Sequence, residues 1–290
     1  MRLFGAEMLA LRKRAATYVV LGVLLVVMAL IYLIVGLSPF ERGAAAGAAL
    51  LRFPGAYAGI AQIVFGLGSL LGVTYAAAVA GGDWSWGIPR LILSRGESRL
   101  AYVLVKAAAV AVMLALGVLI AYAVGVVLVY IAAALAGEQA GDAFGGRALP
   151  DLVESLLLGY PVLLERAAIA FAVATLLRSQ IAGIVVGIVL YIGEGILTSI
   201  LLGLALVGRV GAGGGVNFEP IGPEWYQYLP FSIGNGVLGG ISGGASVEGG
   251  FEDIFLRPVP LEVALVGVGL YLVAALAISV VSVWRAEIAA

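Results

Sequence analysis

The sequence predicts an all-α integral membrane protein with six transmembrane helices, and two observations lead to this class. Of the 290 residues, 63% are hydrophobic and only 11% are charged. A soluble domain carries about 25% charged residues, so this composition cannot build a surface in contact with water. The apolar residues are also collected into six long runs, and a helix that crosses a bilayer needs roughly 20 predominantly apolar residues.

The six runs place the spans within one transmembrane permease domain that covers residues 1–290. We predict spans at 15–37, 55–80, 101–135, 152–177, 181–207 and 259–283. The first run is too long for a cleaved signal sequence, whose apolar region has about 7–15 residues. In the fourth run, Pro161 and the Glu165-Arg166 pair interrupt the apolar residues.

The largest region without a span is the outer loop 208–258. It contains the stretch PEWYQYLPFSIGNGVLGGIS, which combines aromatic residues with an apolar segment too short to cross. That pattern is typical of a re-entrant or interfacial element on the outer side. The simpler interpretation is a loop anchored in the lipid surface.

The composition also excludes several classes of chemistry. The chain has no cysteine and no histidine, so we expect no zinc site, thiolate nucleophile or histidine acid–base catalysis. In the preferred interpretation we assign no catalytic residue, metal or cofactor. A net charge of −1 argues against a nucleic-acid partner. The only lysines, Lys13 and Lys106, do not follow the glycines of a phosphate-binding loop. The protein is therefore predicted not to hydrolyse ATP itself.

Basic residues in the loops predict the orientation. With the N-terminus inside the cell, the inner segments hold ten of the sixteen basic residues and four of the seventeen acidic ones. Their net charge is then +6 and that of the remainder is −7. We therefore expect a multi-pass protein of the cell (cytoplasmic) membrane with both termini in the cytoplasm.

The inner connection between spans two and three is unusually charged and aromatic. It reads GGDWSWGIPRLILSRGESR, residues 81–99. We predict that Asp83 caps a short helix that begins near Trp84, with Pro89 in its first turns and Gly96 at its end. Three basic side chains project from this helix, namely Arg90, Arg95 and Arg99. The segment is either a positive-inside anchor with interfacial tryptophans or a docking helix for a cytoplasmic partner, because Trp and Arg are favoured binding anchors.

The N-terminus predicts an amphipathic helix along the inner membrane surface. In MRLFGAEMLALRKR, the residues Phe4, Met8 and Leu11 form one apolar stripe, and Glu7 lies off it. A simple basic anchor is the alternative interpretation.

Two charged residues lie deep inside predicted spans. Glu194 is about 14 residues from the inner start of span five, roughly 21 Å at 1.5 Å per residue, and Arg166 is roughly 17 Å from the inner end of span four. A lone charge in the membrane is costly, so we predict that these two side chains pair or that Glu194 is protonated. The pair either fixes helix packing or lines a substrate path.

The order of these parts resembles the permease subunits of ABC-2 type transporters. The resemblance lies first in the acidic-then-basic N-terminal element and in the inner connection between spans two and three, which a lysine follows. It also includes the Leu-Leu-Arg-Ser turn at 176–179 and the Trp-Arg-x-Glu tail at 284–287. In the inner connection and its following lysine, the matching residues are Asp83, Trp86, Gly87, Arg90, Gly96, Ser98, Arg99 and Lys106. The resemblance implies that residues 83–99, including Trp84 and Arg95, form a coupling helix that docks on a separate P-loop ATPase subunit.

The resemblance implies an exporter in which two permease chains, identical or related, enclose the path within the lipid. The main alternative is a secondary transporter driven by an ion gradient through Glu194. An intramembrane enzyme that uses Glu165-Arg166 is a third class. The substrate is left open, and so is the choice between a homodimer and a heterodimer.

Overall fold

The structure is a computed structural model, and it describes residues 2–38, 50–89, 98–207, 222–241, 257 and 259–285. It is 85% helical, and no strand occurs in the described residues. The six-helix membrane class is confirmed, since six helices are long and apolar enough to cross a membrane. The protein is a multi-pass membrane protein.

The helices follow the predicted order with small changes at their ends. They are α1 (Arg2–Lys13), α2 (Ala15–Leu37), α3 (Ala56–Ala61), α4 (Gly68–Ser85), α5 (Arg99–Ala136), α6 (Ala148–Leu177), α7 (Gln180–Val207), α8 (Ile233–Ile241) and α9 (Leu261–Trp284). A π-helical stretch, Gln62–Leu67, joins α3 to α4, so that these three pieces form the second span. A 3₁₀ turn at Trp225–Tyr228 precedes α8.

The second and fourth spans differ from the sequence prediction in the regularity of their helices. Helix α6 continues through Pro161 without a break. The π-helical stretch of the second span has no counterpart in the predicted spans. Its Phe65 carbonyl accepts a hydrogen bond from Arg166 Nη1 at 3.3 Å, and its Gly66 carbonyl accepts one from Tyr191 Oη at 3.2 Å. Single π turns are common at functional sites, and this one is bonded to both the fourth and the fifth spans.

The second and fourth spans form the centre of the bundle, and α7 lies at its edge. In the most apolar window of each span, 61% of the residues of the second span are buried, against 6% in the fifth. Helices α4 and α7 still meet closely at Gly81, where an added Cβ would lie 2.5 Å from the Cα of Gln180. Glycine is required at this contact because any side chain would push the two helices apart.

One end of the bundle carries α1, and we call it the α1 end. Helix α1 packs mainly against α5, and its side chain Leu11 is buried in the core. Phe4 and Met8 pack against the same core cluster, so the predicted apolar stripe is confirmed. The last span also ends here, because Arg99 at the start of α5 donates to the carbonyls of Val283 and Trp284.

The segment 222–241 enters the bundle from the opposite end and turns back as α8. An added Cβ at Gly267 would lie 2.0 Å from Ile233 Cδ1, and one at Gly240 would lie 3.7 Å from Leu261 Cδ1. Helix α8 therefore runs antiparallel to α9, with its N-terminus deepest. It packs against α6 and α9 and buries Ile233 and Val237. The described residues of this segment pack inside the bundle, which agrees with the re-entrant interpretation of the sequence.

Candidate functional site

At the α1 end, four charged side chains and one tyrosine form a buried network, which we call the α1-end cluster. Its members are Glu7, Arg14, Asp83, Tyr102 and Lys106. They come from α1, the α1–α2 link, α4 and α5. Two acids and two bases make the cluster neutral.

Asp83 is the centre of the α1-end cluster. Its carboxylate accepts a hydrogen bond from Arg14 Nη2 at 3.0 Å and one from Tyr102 Oη at 3.0 Å, and it forms an ion pair with Lys106 Nζ. The side chains of Asp83 and Lys106 are each only 2% exposed. Lys106 also donates to Glu7 Oε2 at 3.1 Å. Every charge in the cluster thus has a partner of opposite sign.

The surroundings of Asp83 explain why it needs two cations. It lies two residues before the end of α4, where the carbonyl groups give the helix end a partial negative charge. Lys106 lies seven residues after the start of α5, beyond the first turn to which the influence of the helix dipole is confined. Neither residue is favoured by its own helix dipole. Their mutual pairing, completed by Arg14 and Glu7, offsets this unfavourable placement.

One sequence prediction about this end is wrong, and one contact was not predicted. Asp83 does not cap a helix beginning at Trp84, because α4 continues past it to Ser85. The next helical turn begins at Ile88, with Pro89 in its first turn as expected. Glu7, which lies off the apolar stripe, turns inward to Lys106, a contact that the sequence did not predict. Sequence periodicity missed these features because it considers one helix at a time.

The predicted coupling residues separate into inward and outward groups. Trp84 packs against the core and lies under the guanidinium of Arg178, whose Cζ is 5.4 Å from the ring centroid. Arg99 binds carbonyl groups at the end of α9. Trp86 is 82% exposed, and Gly87 follows it with φ +66°, a left-handed conformation that favours glycine. Only Trp86 among these four presents a large side chain outward.

The remaining predicted coupling residues, Arg90 and Arg95, lie outside the described residues, as does Gly96. Their docking role stays a prediction. Ser98 is described, and its hydroxyl accepts a hydrogen bond from the backbone of Ala101 at 3.1 Å. A serine N-cap therefore starts α5.

A second set of polar residues, which we call the mid-bundle cluster, lies in the middle of the bundle. It consists of Glu165, Arg166 and Glu194 together with the residues at the start of α8. The guanidinium of Arg166 is buried and donates to acceptors on two elements. These acceptors are Phe65 O at 3.3 Å, Ser69 Oγ at 3.0 Å, Phe231 O at 3.0 Å and Asn235 Oδ1 at 2.9 Å. Arg166 therefore joins the second span to the re-entrant segment.

Glu194 holds the same re-entrant segment from the α7 side. Its Oε1 accepts hydrogen bonds from the backbone N–H groups of Phe231 at 2.7 Å and Ser232 at 2.6 Å. These N–H groups precede α8, where a helix has unpaired donors and a partial positive charge. Nearby, the hydroxyl groups of Thr198 and Ser232 are 3.1 Å apart. The carboxylate thus caps α8 from a neighbouring helix.

The predicted pairing of Glu194 with Arg166 takes an indirect form. No direct ion pair joins them in the described part of the chain. The peptide groups of Phe231 lie between them, with its N–H on Glu194 and its carbonyl on Arg166. The prediction of a direct ion pair is wrong, because the re-entrant segment inserts its backbone between the two side chains.

Glu165 differs from both neighbours. It is 0% exposed, and neither carboxylate oxygen has a hydrogen-bond partner among the described residues. One turn before it, Val162 packs in a cluster with Val268 of α9. One turn after it, Ala168 packs against Ala275 of α9. Glu165 therefore lies on the α9-facing side of α6.

Comparison with known families gives one match. A family model described as "Protein of unknown function (DUF2705)" matches residues 49–288. The chain belongs to the DUF2705 family. No curated protein matches it. The family match includes Asp83, Lys106 and the whole mid-bundle cluster, whereas Glu7 and Arg14 precede the matched region of this DUF2705 protein.

Proposed function

We propose that this protein is the membrane-spanning permease subunit of an ABC transporter, an exporter driven by a separate P-loop ATPase subunit. The observation that carries the proposal is the exposed Trp86 beside the α1-end cluster. Trp86 projects just beyond the end of α4, and the ion pairs of Asp83 hold that helix end in place. Exposed tryptophan on a fixed base is a favoured anchor for a binding partner.

The α1-end cluster also supplies a mechanical reason for this role. Helix α4 ends two residues after Asp83, and α5 begins seven residues before Lys106. These two residues are paired with each other and with α1 and its link to α2. A force applied by an ATPase to the segment between α4 and α5 therefore reaches α1, α4 and α5 together. A lipid anchor has no need of such a rigid connection.

The test compares ATPase binding to the wild-type chain and to Trp86→Ala. The two proteins are purified at equal amounts from membranes of their source, and the P-loop ATPase that accompanies them is measured by ATP hydrolysis. We expect Trp86→Ala to weaken association about thirtyfold, which corresponds to about 2 kcal/mol. Trp225→Ala is the matched control, because Trp225 is also exposed, at 63% against 82% for Trp86, but lies in the re-entrant segment. Equal ATPase recovery with all three proteins would exclude the coupling role.

We also propose that the α1 end lies in the cytoplasm of a cell membrane, with both termini inside. The natural absence of cysteine makes the test direct. A cysteine at the exposed Ser98 is expected to react only from the inside, and one at the exposed Gln139, in the link between α5 and α6, only from the outside. Labelling of both by an impermeant reagent added outside would contradict this orientation.

A second permease chain is proposed to complete the path, and α7 is the span best placed to meet it. Its outward side chains include Ile181, Val185 and Val189, which are 53–76% exposed. Cysteines introduced at these positions are expected to cross-link between two copies in the membrane. Absence of any cross-link along α7 would point to a lipid-facing role for this helix.

Ion-gradient-driven transport is a second candidate, favoured by Glu165. A buried carboxylate without a partner among the described residues is an intramembrane site at which a proton or cation can neutralise the charge. This mechanism predicts transport by the purified chain in liposomes under an ion gradient, without any ATPase, and its loss in Glu165→Gln. Flux that requires ATP and survives Glu165→Gln would reject it.

A further inference from the structure

We propose that the groove between α1, α2, α4 and α5 binds one acyl chain of an anionic phospholipid, with Arg12 at the phosphate. This site is separate from the transport proposal and does not depend on it. The groove has a volume of about 570 Å³, within the range of about 300–1,000 Å³ that is common for small-molecule pockets. Its walls are almost entirely apolar side chains.

The depth of the groove corresponds to one leaflet of a bilayer. Along the second span its lining extends from Val64 to Tyr75. These 11 steps correspond to roughly 16 Å at 1.5 Å per residue. Half of a hydrocarbon core of about 30 Å is roughly 15 Å. An acyl chain that enters at the α1 end therefore reaches the far end of the groove, at Val64, near the bilayer centre.

The groove is open on the side that faces lipid and closed toward the protein. Its rim includes Tyr18 of α2 and Leu116 of α5, which are exposed, whereas its floor includes the buried residues Val64, Tyr75 and Leu163. A lipid can thus enter sideways from the membrane. An apolar groove offers water almost no hydrogen-bond partners, so a hydrocarbon chain is the favoured occupant.

Charge at the mouth selects the headgroup. Arg12 lines the groove at its α1 end, is exposed, and has no ion pair within the described residues. The next basic residue, Lys13, is also exposed but does not line the groove. Arg14 is already bound to Asp83. Arg12 is therefore the cation available to a lipid phosphate, and the net positive mouth favours an anionic headgroup over a zwitterionic one.

Glycine creates part of the space. Gly117 of α5 lines the groove, and a Cβ added there would meet nothing within 4 Å. Gly5 of α1 lines it too and has the same free space. Leucine at either position is expected to fill the groove without disturbing the packed core. Gly193 of α7 has equal space but does not line the groove, which makes it a matched control.

The experiment uses the full chain in mixed micelles that contain equal amounts of phosphatidylglycerol and phosphatidylcholine. Lipids retained by the purified protein are counted by native mass spectrometry. We expect one retained phosphatidylglycerol on the wild type, and at least tenfold less retention for Gly117→Leu and for Gly5→Leu. Gly193→Leu is expected to match the wild type. Elution as a single symmetrical species shows that each variant is folded, and Gly5→Leu gives the result if Gly117→Leu is not folded.

A second pair of variants tests the headgroup contact. Arg12→Gln is expected to reduce the preference for phosphatidylglycerol about fivefold, as expected for one basic residue at a membrane surface, while a lipid chain is still retained. Lys13→Gln is expected to leave the preference unchanged. Equal retention of both lipids by the wild type, or full retention by both leucine-filled grooves, would show ordinary annular lipid and overturn the proposal.

Discussion

The α1-end cluster and the mid-bundle cluster both hold charged side chains inside the bundle, but they neutralise them by different means. At the α1 end, two carboxylates meet two cations through direct side-chain contacts. In the middle of the bundle, Arg166 and Glu194 meet backbone carbonyl and N–H groups around α8. The first arrangement ties side chains from several helices to one another, and the second holds a re-entrant segment by its main chain.

The difference follows from what each region offers. The α1 end brings together helix ends and a link that carry charged side chains. The middle of the bundle contains a π-helical stretch and the start of α8, which leave backbone acceptors and donors without partners in their own helices. Charged side chains satisfy those groups. The cost of burying charge is therefore offset by side chains of opposite charge at the α1 end, and by backbone N–H and carbonyl groups in the middle of the bundle.

The largest expected effect comes from breaking the ion-pair arrangement at Lys106. In Lys106→Met, Glu7 loses its partner and Asp83 keeps only Arg14 and Tyr102, so the buried acids outnumber the bases. Breaking a buried pair costs about 3–5 kcal/mol, and we expect this loss in the free energy of unfolding, measured by denaturant titration in mixed micelles.

A paired variant and an exposed ion pair control this experiment. Lys106→Met combined with Glu7→Gln restores neutrality and is expected to recover part of the loss. Arg52→Met breaks the ion pair with Glu138, whose side chains are 57% and 31% exposed, and is expected to cost no more than about 1 kcal/mol. If Lys106→Met were no more harmful than Arg52→Met, the α1-end cluster would not stabilise the bundle.

A smaller effect is expected from weakening the backbone arrangement at Glu194. In Glu194→Gln, a neutral amide oxygen replaces a carboxylate that accepts two backbone N–H groups before α8. Loss of a charged acceptor costs about 1–3 kcal/mol, and we expect this loss together with faster hydrogen exchange at Phe231 and Ser232. Exchange as slow as in the wild type would show that these N–H groups do not depend on the carboxylate.

The smallest effect is expected from the same substitution at Glu165. This carboxylate accepts no hydrogen bond from the described residues, so Glu165→Gln removes a buried charge without breaking a contact. We expect the stability to stay the same or to rise, measured as for Glu194→Gln. A loss as large as that of Glu194→Gln would reveal a partner for Glu165 and remove the contrast between the two glutamates.

Much of the fold could be predicted from the residues alone. The first span was predicted at 15–37 and is found at Ala15–Leu37, and the other five differ by a few residues at their ends. The amphipathic helix α1 was also predictable from Phe4, Met8 and Leu11. Each of these features is local, because hydrophobic length and helical period depend only on neighbouring residues.

The candidate sites were predictable in part. Intramembrane charge marked Arg166 and Glu194 as important, and both lie in the mid-bundle cluster. Their partners were not predictable, because the start of α8 comes between them. At the α1 end, Asp83 was singled out for a helix cap and instead ends in an ion-pair network. The sequence shows that a charge needs a partner but not which of several distant groups supplies it.

The sequence by itself determined that the chain crosses the membrane six times, since a bilayer requires long apolar helices that satisfy their own backbone. Only the tertiary structure decided which charges meet. Lys106 and Glu7 are 99 positions apart, and Arg166 and Asn235 are 69 apart. Such pairs depend on how whole helices rotate and approach one another. The position of a charged residue within an apolar run can be read from its neighbours, whereas the group that neutralises it depends on the assembled bundle.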